Sequence, residues 1–235
     1  MASRLSTALI ALVIVALLAR SMERDAFGRY SATLALFQVL DILVDGGSLQ
    51  AAVRAVAKKS SCARAAVRAA VEFRFFTASI SIVIATAVAW ILNDPQVGLV
   101  TIAAFTFFTH AAGVGVAVLH ADIDYKQSES FRVLGSMLGL FATIWLIGGG
   151  ITDAGSMLVA VYAGSALSNL GLAVSVKSDI PPGGDPIDKK AFWKESIALG
   201  LGGVVRQTYY SLNPILARAL AGDLAGARFA PAYRI

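Results

Sequence analysis

Two sets of polar side chains recur at helical spacing inside apolar stretches of this 235-residue sequence. The first set follows steps of three, four and three residues and comprises Gln38, Asp41, Asp45 and Ser48. The second follows steps of three, one and three residues and comprises Arg206, Tyr209, Tyr210 and Asn213. Because an α-helix repeats every ~3.6 residues, each set is predicted to form one polar stripe along a helix.

These stripes offer the chemistry of ion and anion binding. The planar guanidinium of Arg206 matches a phosphate, and two phenols with an amide suit a sugar-bearing ligand. Asp41 and Asp45 fit a solvated transport pathway, since ionisable groups inside a bilayer are costly and mark such pathways. Two simpler interpretations stay open: Arg206 pairs with one of these aspartates to join two helices, or it extends to the membrane interface.

The sequence contains no motif of an enzyme or an ATP-driven motor. Gly-x-Ser-x-Gly, His-Glu-x-x-His, the P-loop and the dinucleotide fingerprint are all missing, so we expect no enzymatic activity and no cofactor. His110 and His120 lie too far apart for metal-ligand spacing, and Cys62 is a single cysteine, so we expect no metal site. His110 is expected to bond a neighbouring helix, with proton relay as the alternative.

The composition is that of a helical membrane protein. Hydrophobic residues make up 57% and charged residues 15% of the chain, and the mean hydropathy is +0.71. Soluble domains carry about a quarter charged residues. The fold class is therefore predicted as all-α, a polytopic membrane helix bundle. The net charge of +5 does not indicate a nucleic-acid partner, and membrane lipid is the expected surrounding partner.

Apolar stretches long enough to approach a membrane span of about 20 residues divide the chain. They cover residues 5–19, 31–52, 73–92, 97–119, 133–151, 157–176, 196–215 and 225–235. We predict a six-helix lobe at 1–177, a cytoplasmic linker at 178–194, and the first helix pair of a second, truncated lobe at 195–235. Since the last stretch, 225–235, is too short to cross a bilayer, we expect the chain to be incomplete at its C-terminus.

Lys and Arg are concentrated in alternate loops, which predicts a cytoplasmic N-terminus. The richest stretch lies between the second and third predicted spans and contains Arg54, Lys58, Lys59, Arg64, Arg68 and Arg74. Arg29 and Arg218 fall in the opposite loops. A cleaved signal peptide is disfavoured, because Leu17-Leu18 lacks the small residue that a cleavage site prefers.

Two short segments predict an internal repeat. The segment 17–20 (LLAR) is followed by 28–32 (GRYSA), and the segment 215–218 (ILAR) is followed by 227–231 (ARFAP). Six predicted spans separate the copies, so the second copy enters the membrane in the same orientation, as in a parallel repeat. Separately, Gly135 and Gly139 form a GxxxG motif, which is expected to let helices of this chain approach closely.

Several motifs resemble those of polysaccharide and oligosaccharide-lipid flippases, within the multidrug/oligosaccharidyl-lipid/polysaccharide exporter superfamily. Residues 22–31 (MERDAFGRYS) resemble the first outer loop of that family, and 45–50 (DGGSLQ) with Val53-Arg54 resemble its exit from the second helix. Residues 209–216 (YYSLNPIL) and 232–235 (AYRI) resemble its seventh helix and the start of the eighth. The likeness covers the N-terminal half of such a carrier.

The resemblance implies a two-lobed carrier of twelve or more helices that works by alternating access. Such a carrier moves an undecaprenyl-diphosphate-linked oligosaccharide across the bacterial cytoplasmic membrane in polysaccharide or lipopolysaccharide (O-antigen) biosynthesis. Helices one, two, seven and eight would border its central cavity, with the Asp41 and Arg206 stripes facing each other. The implied partners are the lipid-linked oligosaccharide and a missing C-terminal lobe.

The resemblance also implies roles for the candidate residues. Arg206 would attract the diphosphate, Tyr209 and Tyr210 would contact the sugar or lipid head, and Asp41 and Asp45 would shape the field or carry coupling ions. Asn213 stands where many relatives carry aspartate. Two other functions stay open: a cation-coupled multidrug efflux carrier, and a truncated remnant that transports nothing.

Overall fold

The computed structural model describes residues 2–123, 125–180 and 184–224, and the regular structure in these residues is entirely helical. The α-helices are α1 Ala2–Ser21, α2 Arg24–Asp45, α3 Ser48–Lys58, α4 Ala63–Ile91, α5 Val97–Phe105, α6 Phe107–Ala112, α7 Ala117–Ala121, α8 Lys126–Gly148, α9 Ala154–Val176 and α10 Lys189–Ala221. Short 3-10 turns occupy Ser60–Cys62, Gly113–Val116 and Lys177–Asp179. The predicted helix bundle is confirmed.

Five helical segments of the described chain are long and apolar enough to cross a membrane. They are Arg24–Lys58, Ser60–Ile91, Val97–Ala121, Lys126–Gly148 and Ala154–Val176. The predicted first span is a shorter apolar helix, Leu5–Ser21, and α10 is not among the five. The predicted eighth span, 225–235, lies outside the described residues, and so does the second part of the predicted repeat at 227–231.

Both ends of the bundle are marked by turns. One end, here called the Asp94 end, holds the connections at 22–23, 92–96 and 149–153 and the end of α10. The other, the Cys62 end, holds the connections at 59–62 and 122–125 and the segment that leads into α10. The predicted orientation would place the Cys62 end in the cytoplasm.

The predicted second span is broken in its middle. Gly46 and Gly47 have φ values of 48° and 76°, a left-handed conformation that ends the helical hydrogen-bond ladder. The expectation of one unbroken stripe from Gln38 to Ser48 is therefore wrong at its end, because Ser48 begins α3. The fourth predicted span is also broken: it consists of α5, α6, a 3-10 turn and α7.

Two further boundaries differ from the prediction. Helix α4 begins at Ala63, before the predicted start at Phe73, so Arg64 and Arg68 lie on this helix together with Arg74, although all three were counted as charges of the preceding loop. Helix α10 begins at Lys189 because Asp188 caps it: the carboxylate accepts from the backbone N–H of Lys190 at 2.9 Å. The helix continues through Pro214 to Ala221, since a proline removes a single donor that surrounding helical bonds can tolerate.

Helix α2 lies at the centre of the fold and packs against α4, α9 and α10. Its Phe37 is fully buried and meets Phe107 and Tyr162, with ring centroids 5.1 and 4.9 Å apart. These aromatic contacts join α2, α6 and α9 and fix the helices that carry the polar residues described below.

A polar clamp joins two turns at the Asp94 end. The Gln96 side chain donates from Nε2 to Asp153 Oδ1 at 2.6 Å and accepts from the backbone N–H of Gly155 at 2.7 Å. Asp153 also caps α9 by accepting from the backbone N–H of Ser156 at 2.8 Å. Partial burial raises the pKa of the Asp153 carboxyl, but the hydrogen bonds from Ser156 and Gln96 lower it by more. The resulting pKa lies below the ordinary value of 3.8.

Replacing Asp153 by alanine is expected to lower the free energy of unfolding by about 1–2 kcal/mol, since a helix cap and the bond to Gln96 are lost together. Thermal unfolding in detergent, followed by circular dichroism, measures this. The lowered pKa means that the carboxylate stabilises the fold at neutral pH and loses this effect only below about pH 4. Replacing the exposed Asp122 by alanine is the control and should change little; an equal loss in both variants would contradict the cap.

Candidate functional site

An ion pair between a buried arginine and a partly buried aspartate lies at the break between α2 and α3. Arg74 of α4 is 7% exposed and forms a salt bridge from Nη2 to Asp45. Its Nε donates to Ser48 Oγ at 2.8 Å, and its Nη1 donates to the backbone carbonyl of His110 at 2.7 Å. One arginine therefore joins α2, α3, α4 and α6, and each nitrogen of its guanidinium has a partner.

Asp41 lies beside this pair and faces α6 and α9. The Tyr162 hydroxyl donates to Asp41 Oδ2 at 3.1 Å, and His110 Nε2 lies 3.7 Å from Asp41 Oδ1. The Oδ1 atom is buried and has no hydrogen-bond partner among the described residues. Asp41, Asp45, Ser48, Arg74 and His110 are called the central cluster below. They come from the inner parts of three apolar segments long enough to cross a membrane, and ionisable groups so placed are typical of functional sites.

A cavity of about 390 Å³ leads from the central cluster to the Cys62 end. Arg74, His110 and Asn169 line it near the middle of the bundle, and His120, Ser128 and Glu129 line it near the start of α8. Its walls come mainly from α1, α8 and α9. None of the six predicted site residues lines this cavity: Asp41 and Asp45 lie behind His110 and Arg74, which do.

The structure keeps the two predicted stripes apart. Arg206, Tyr209 and Tyr210 are exposed on α10, and Asn213 is partly buried. Helix α10 faces α2 with other residues: Gln207 Nε2 donates to Gln38 Oε1 at 3.4 Å. Arg206 forms no ion pair within the described chain, so the proposed pairing with Asp41 or Asp45 is not found; Asp45 is paired with Arg74 instead.

Close backbone contact explains why α10 meets α2 as it does. A Cβ at Gly200 would lie 2.3 Å from the backbone carbon of Gly46, and a Cβ at Gly47 would lie 2.4 Å from the carbonyl oxygen of Ser196. Glycines thus let the two helices touch at the α2–α3 break. The stripe of Arg206, Tyr209 and Tyr210 therefore lies on a face of α10 that does not contact α2 and is exposed.

A second buried ion cluster lies at the Asp94 end. Arg218 of α10 donates from Nη2 to Asp94 Oδ2 at 2.7 Å and from Nε to Asp223 Oδ1 at 3.0 Å. Arg29 of α2 donates to the other oxygen of Asp223 at 2.9 Å. The cavity beside this cluster measures only about 10 Å³. Arg29, Asp94, Arg218 and Asp223 are called the outer cluster below.

Sequence reasoning counted Arg29, Arg74 and Arg218 as loop charges, and this was wrong. All three lie on helices, and Arg74 and Arg218 are buried. A signal for Arg74 was present, because it is enclosed by aromatic residues in the run 73–76 (FRFF). Arg218 carried a comparable signal: it directly follows the apolar run 215–217 and is followed by the acidic residue Asp223, with which it can pair.

The connection into α10 is held by exposed contacts at the Cys62 end. Lys59 Nζ and the Ser61 hydroxyl both reach Asp185 Oδ2 at 2.7 Å. These bonds hold the pKa of the Asp185 carboxyl below its usual range and the pKa of Lys59 above it. Since the two side chains are 63% and 49% exposed, water and salt screen the pair and this attachment is weak. Within the residues that the structure describes, no group of three or more His, Cys, Asp or Glu could hold a metal ion.

Comparison with known proteins agrees with this architecture. The family described as "Polysaccharide biosynthesis protein" matches residues 17–213. A solved structure, described as the inward-facing conformation of a multidrug resistance MATE family transporter of the MOP superfamily, is similar with a TM-score of 0.61 and 18% sequence identity. The match covers 97% of this chain and 60% of that one, and at this identity it shows the fold. No curated protein sequence matches the chain.

Proposed function

The chain belongs to the family of polysaccharide biosynthesis proteins, as its motifs indicated, and from this premise we propose that it is a membrane transporter that flips lipid-linked oligosaccharide. The bound lipid would be an undecaprenyl diphosphate, and the movement would run from the cytoplasmic to the opposite leaflet of a bacterial inner membrane. The chain spans 60% of the length of the solved transporter that it resembles. A further C-terminal lobe, in this or another chain, belongs to the proposal.

One observation carries the mechanism: the two ends of the bundle differ. At the Cys62 end a cavity of about 390 Å³ leads inward to the central cluster. At the Asp94 end the space beside the outer cluster measures only about 10 Å³. Two larger clefts at that end, of about 380 and 270 Å³, are lined around Trp145 and do not reach the central cluster. A central cluster that a described cavity reaches from the Cys62 end alone supports alternating access, in which the two ends open in turn.

The exposed stripe of α10 supplies the substrate contacts in this proposal. Arg206 would bind the diphosphate, since its guanidinium can donate two parallel hydrogen bonds to phosphate oxygens. Tyr209 and Tyr210, whose rings meet edge to face at 5.6 Å, would contact the sugar. Asn213 would add an uncharged donor and acceptor. Asp41 and Asp45 would act from behind the cavity wall, through His110 and Arg74, by setting its field or coupling it to an ion.

Replacing Arg206 by alanine in the full carrier is expected to abolish glycan export while membrane insertion and expression persist. The reason is that Arg206 has no ion pair to lose in the described chain, so the change removes substrate binding and little stability. Flipping of a fluorescent lipid-linked oligosaccharide in proteoliposomes measures this. The control is Arg20→Ala, which removes another exposed arginine at the end of α1. Normal flipping by the Arg206 variant would contradict the proposed role.

The second candidate function is cation-coupled multidrug efflux, and the solved structure with this fold favours it. The central cluster would then hold the coupling cation near Asp41, whose buried Oδ1 finds no hydrogen-bond partner in the part of the chain that the structure describes. Export of a cationic dye by purified protein, with no flipping of the lipid-linked glycan, would select this function. A chain that supports neither activity when supplied with its second lobe would be a non-transporting remnant.

A further inference from the structure

The outer cluster joins three parts of the chain that are far apart in sequence. Asp94 lies in the turn between α4 and α5, Arg29 lies near the start of α2, and Arg218 lies near the end of α10. The side chains of Asp94 and Arg218 are only 3% and 5% exposed. The cluster therefore buries an ion pair between α10 and the helices that precede the linker.

Asp94 uses its two carboxylate oxygens for different purposes. Oδ1 accepts from the backbone N–H of Gln96 at 2.9 Å and shapes the turn, while Oδ2 accepts from Arg218 at 2.7 Å. Arg218 adds a contact from Nη1 to the Thr33 hydroxyl at 3.4 Å. The turn is thus formed by one oxygen of Asp94 and docked to α10 by the other, so the docking can break without undoing the turn.

The ion pairs of α10 at the Cys62 end are exposed to solvent, unlike the buried pair of the outer cluster. Arg54 and Glu195 approach to 3.6 Å with half-exposed side chains, and Lys189 and Glu72 approach to 2.7 Å with similar exposure. Water and salt screen such pairs, which can part and re-form freely. A buried pair has no such freedom: when one partner leaves, water must enter to solvate the other.

We propose that the outer cluster is a latch, in which Arg218, held by Asp94 and Asp223, keeps the Asp94 end closed. Its release admits water between α2 and α10 and opens that end. The latch rests on the proposed alternating-access function, and the predicted orientation places it on the outer side of the membrane. It assigns to Arg218, Asp94 and Asp223 a positioning role in the conformational step and no contact with the substrate.

The test measures access from outside to a cysteine beneath the latch. Ala32 is buried and lines the small cavity beside Arg218, so Ala32→Cys in a Cys62→Ser background reports opening. Intact cells carrying the full carrier are treated with a membrane-impermeant methanethiosulfonate. Asp94→Asn keeps an acceptor for the Gln96 N–H but removes the charge that holds Arg218. Labelling of the introduced thiol is expected to be at least about ten times faster in this variant. This ratio corresponds to a decrease of ~1.4 kcal/mol in the free energy of opening.

Further variants separate the latch from a general loss of structure. Arg218→Lys keeps the charge but not the fork that reaches two carboxylates, and Asp223→Asn removes one of them, so each should give an intermediate rate. Glu195→Gln alters an exposed pair at the opposite end and should leave labelling unchanged. If Asp94→Asn fails to insert, the graded rates of the other two variants decide.

Equal labelling rates in the parent and the outer-cluster variants would overturn the latch. That result is separable from the proposed function, because glycan flipping is measured independently. Unchanged labelling with normal flipping removes the latch and keeps the flippase. Faster labelling of the outer-cluster variants, in a carrier whose parent flips no glycan, keeps the latch and removes the substrate assignment.

Discussion

Replacing Arg74 by alanine is expected to lower the free energy of unfolding by about 3 kcal/mol, the low end of the cost of breaking a buried ion pair, because the Asp45 side chain left behind is 29% exposed. Asp45 would lose the guanidinium that neutralises it, and Ser48 and the His110 carbonyl would lose their donors. Four helices meet at this side chain, so the loss should loosen the bundle as a whole. Chemical unfolding in detergent micelles, followed by tryptophan fluorescence, measures the change.

A second substitution tests the physical reason for this effect. Adding Asp45→Asn to the Arg74 variant removes the unpaired charge, so the double variant should be more stable than Arg74→Ala alone. The matched control is Arg68→Ala on the same helix, whose pair with Glu72 is exposed, and its effect should stay within about 0.5 kcal/mol. A double variant less stable than the Arg74 single variant would show that packing, and not charge, sets the cost.

Hydropathy predicted the membrane bundle and the order of its apolar segments, because the thickness of the bilayer sets the length of a helix that spans it. It did not predict the breaks. The helix that begins at Arg24 stops at Gly46 because two successive residues are left-handed, and single-residue conformation leaves little trace in an average over about 20 residues. Arg74 lies within the predicted span 73–92 but was counted with the loop charges, since charge alone was taken to mark the membrane surface.

Helical spacing found Asp41 and Asp45 but not their partners. The spacing shows which residues share a face and says nothing about the face opposite, so Arg206 was matched to carboxylates that Arg74 and His110 approach in the structure. Those partners come from α4 and α6, and only the packing of Phe37 against Phe107 and Tyr162 brings these helices together. The functional roles of Arg206, Tyr209, Tyr210 and Asn213 remain predictions that transport assays can decide.

The GxxxG motif is the clearest case in which a sequence pattern predicted a contact. A Cβ at Gly135 would lie 2.6 Å from the Cβ of Ser168, so α8 and α9 touch at this point. The reciprocal contact is tighter. A Cβ at Gly164 would lie 2.4 Å from the carbonyl oxygen of Gly135 and 2.6 Å from the backbone nitrogen of Gly139. These neighbours are backbone atoms, which cannot move aside without moving a helix.

Replacing Gly164 by alanine is therefore expected to destabilise the fold by about 1–3 kcal/mol, and replacement by leucine by more, because α8 and α9 must separate. Gly135, Gly139 and Ser168 also line the large cavity, so the separation should alter its shape and reduce transport in proportion. Thermal unfolding and glycan flipping measured on the same preparations test both effects. Gly98→Ala is the matched control, since its Cβ would meet no atom within 4 Å. If Gly164→Ala unfolds at the same temperature as this control, the close approach of α8 and α9 does not stabilise the protein.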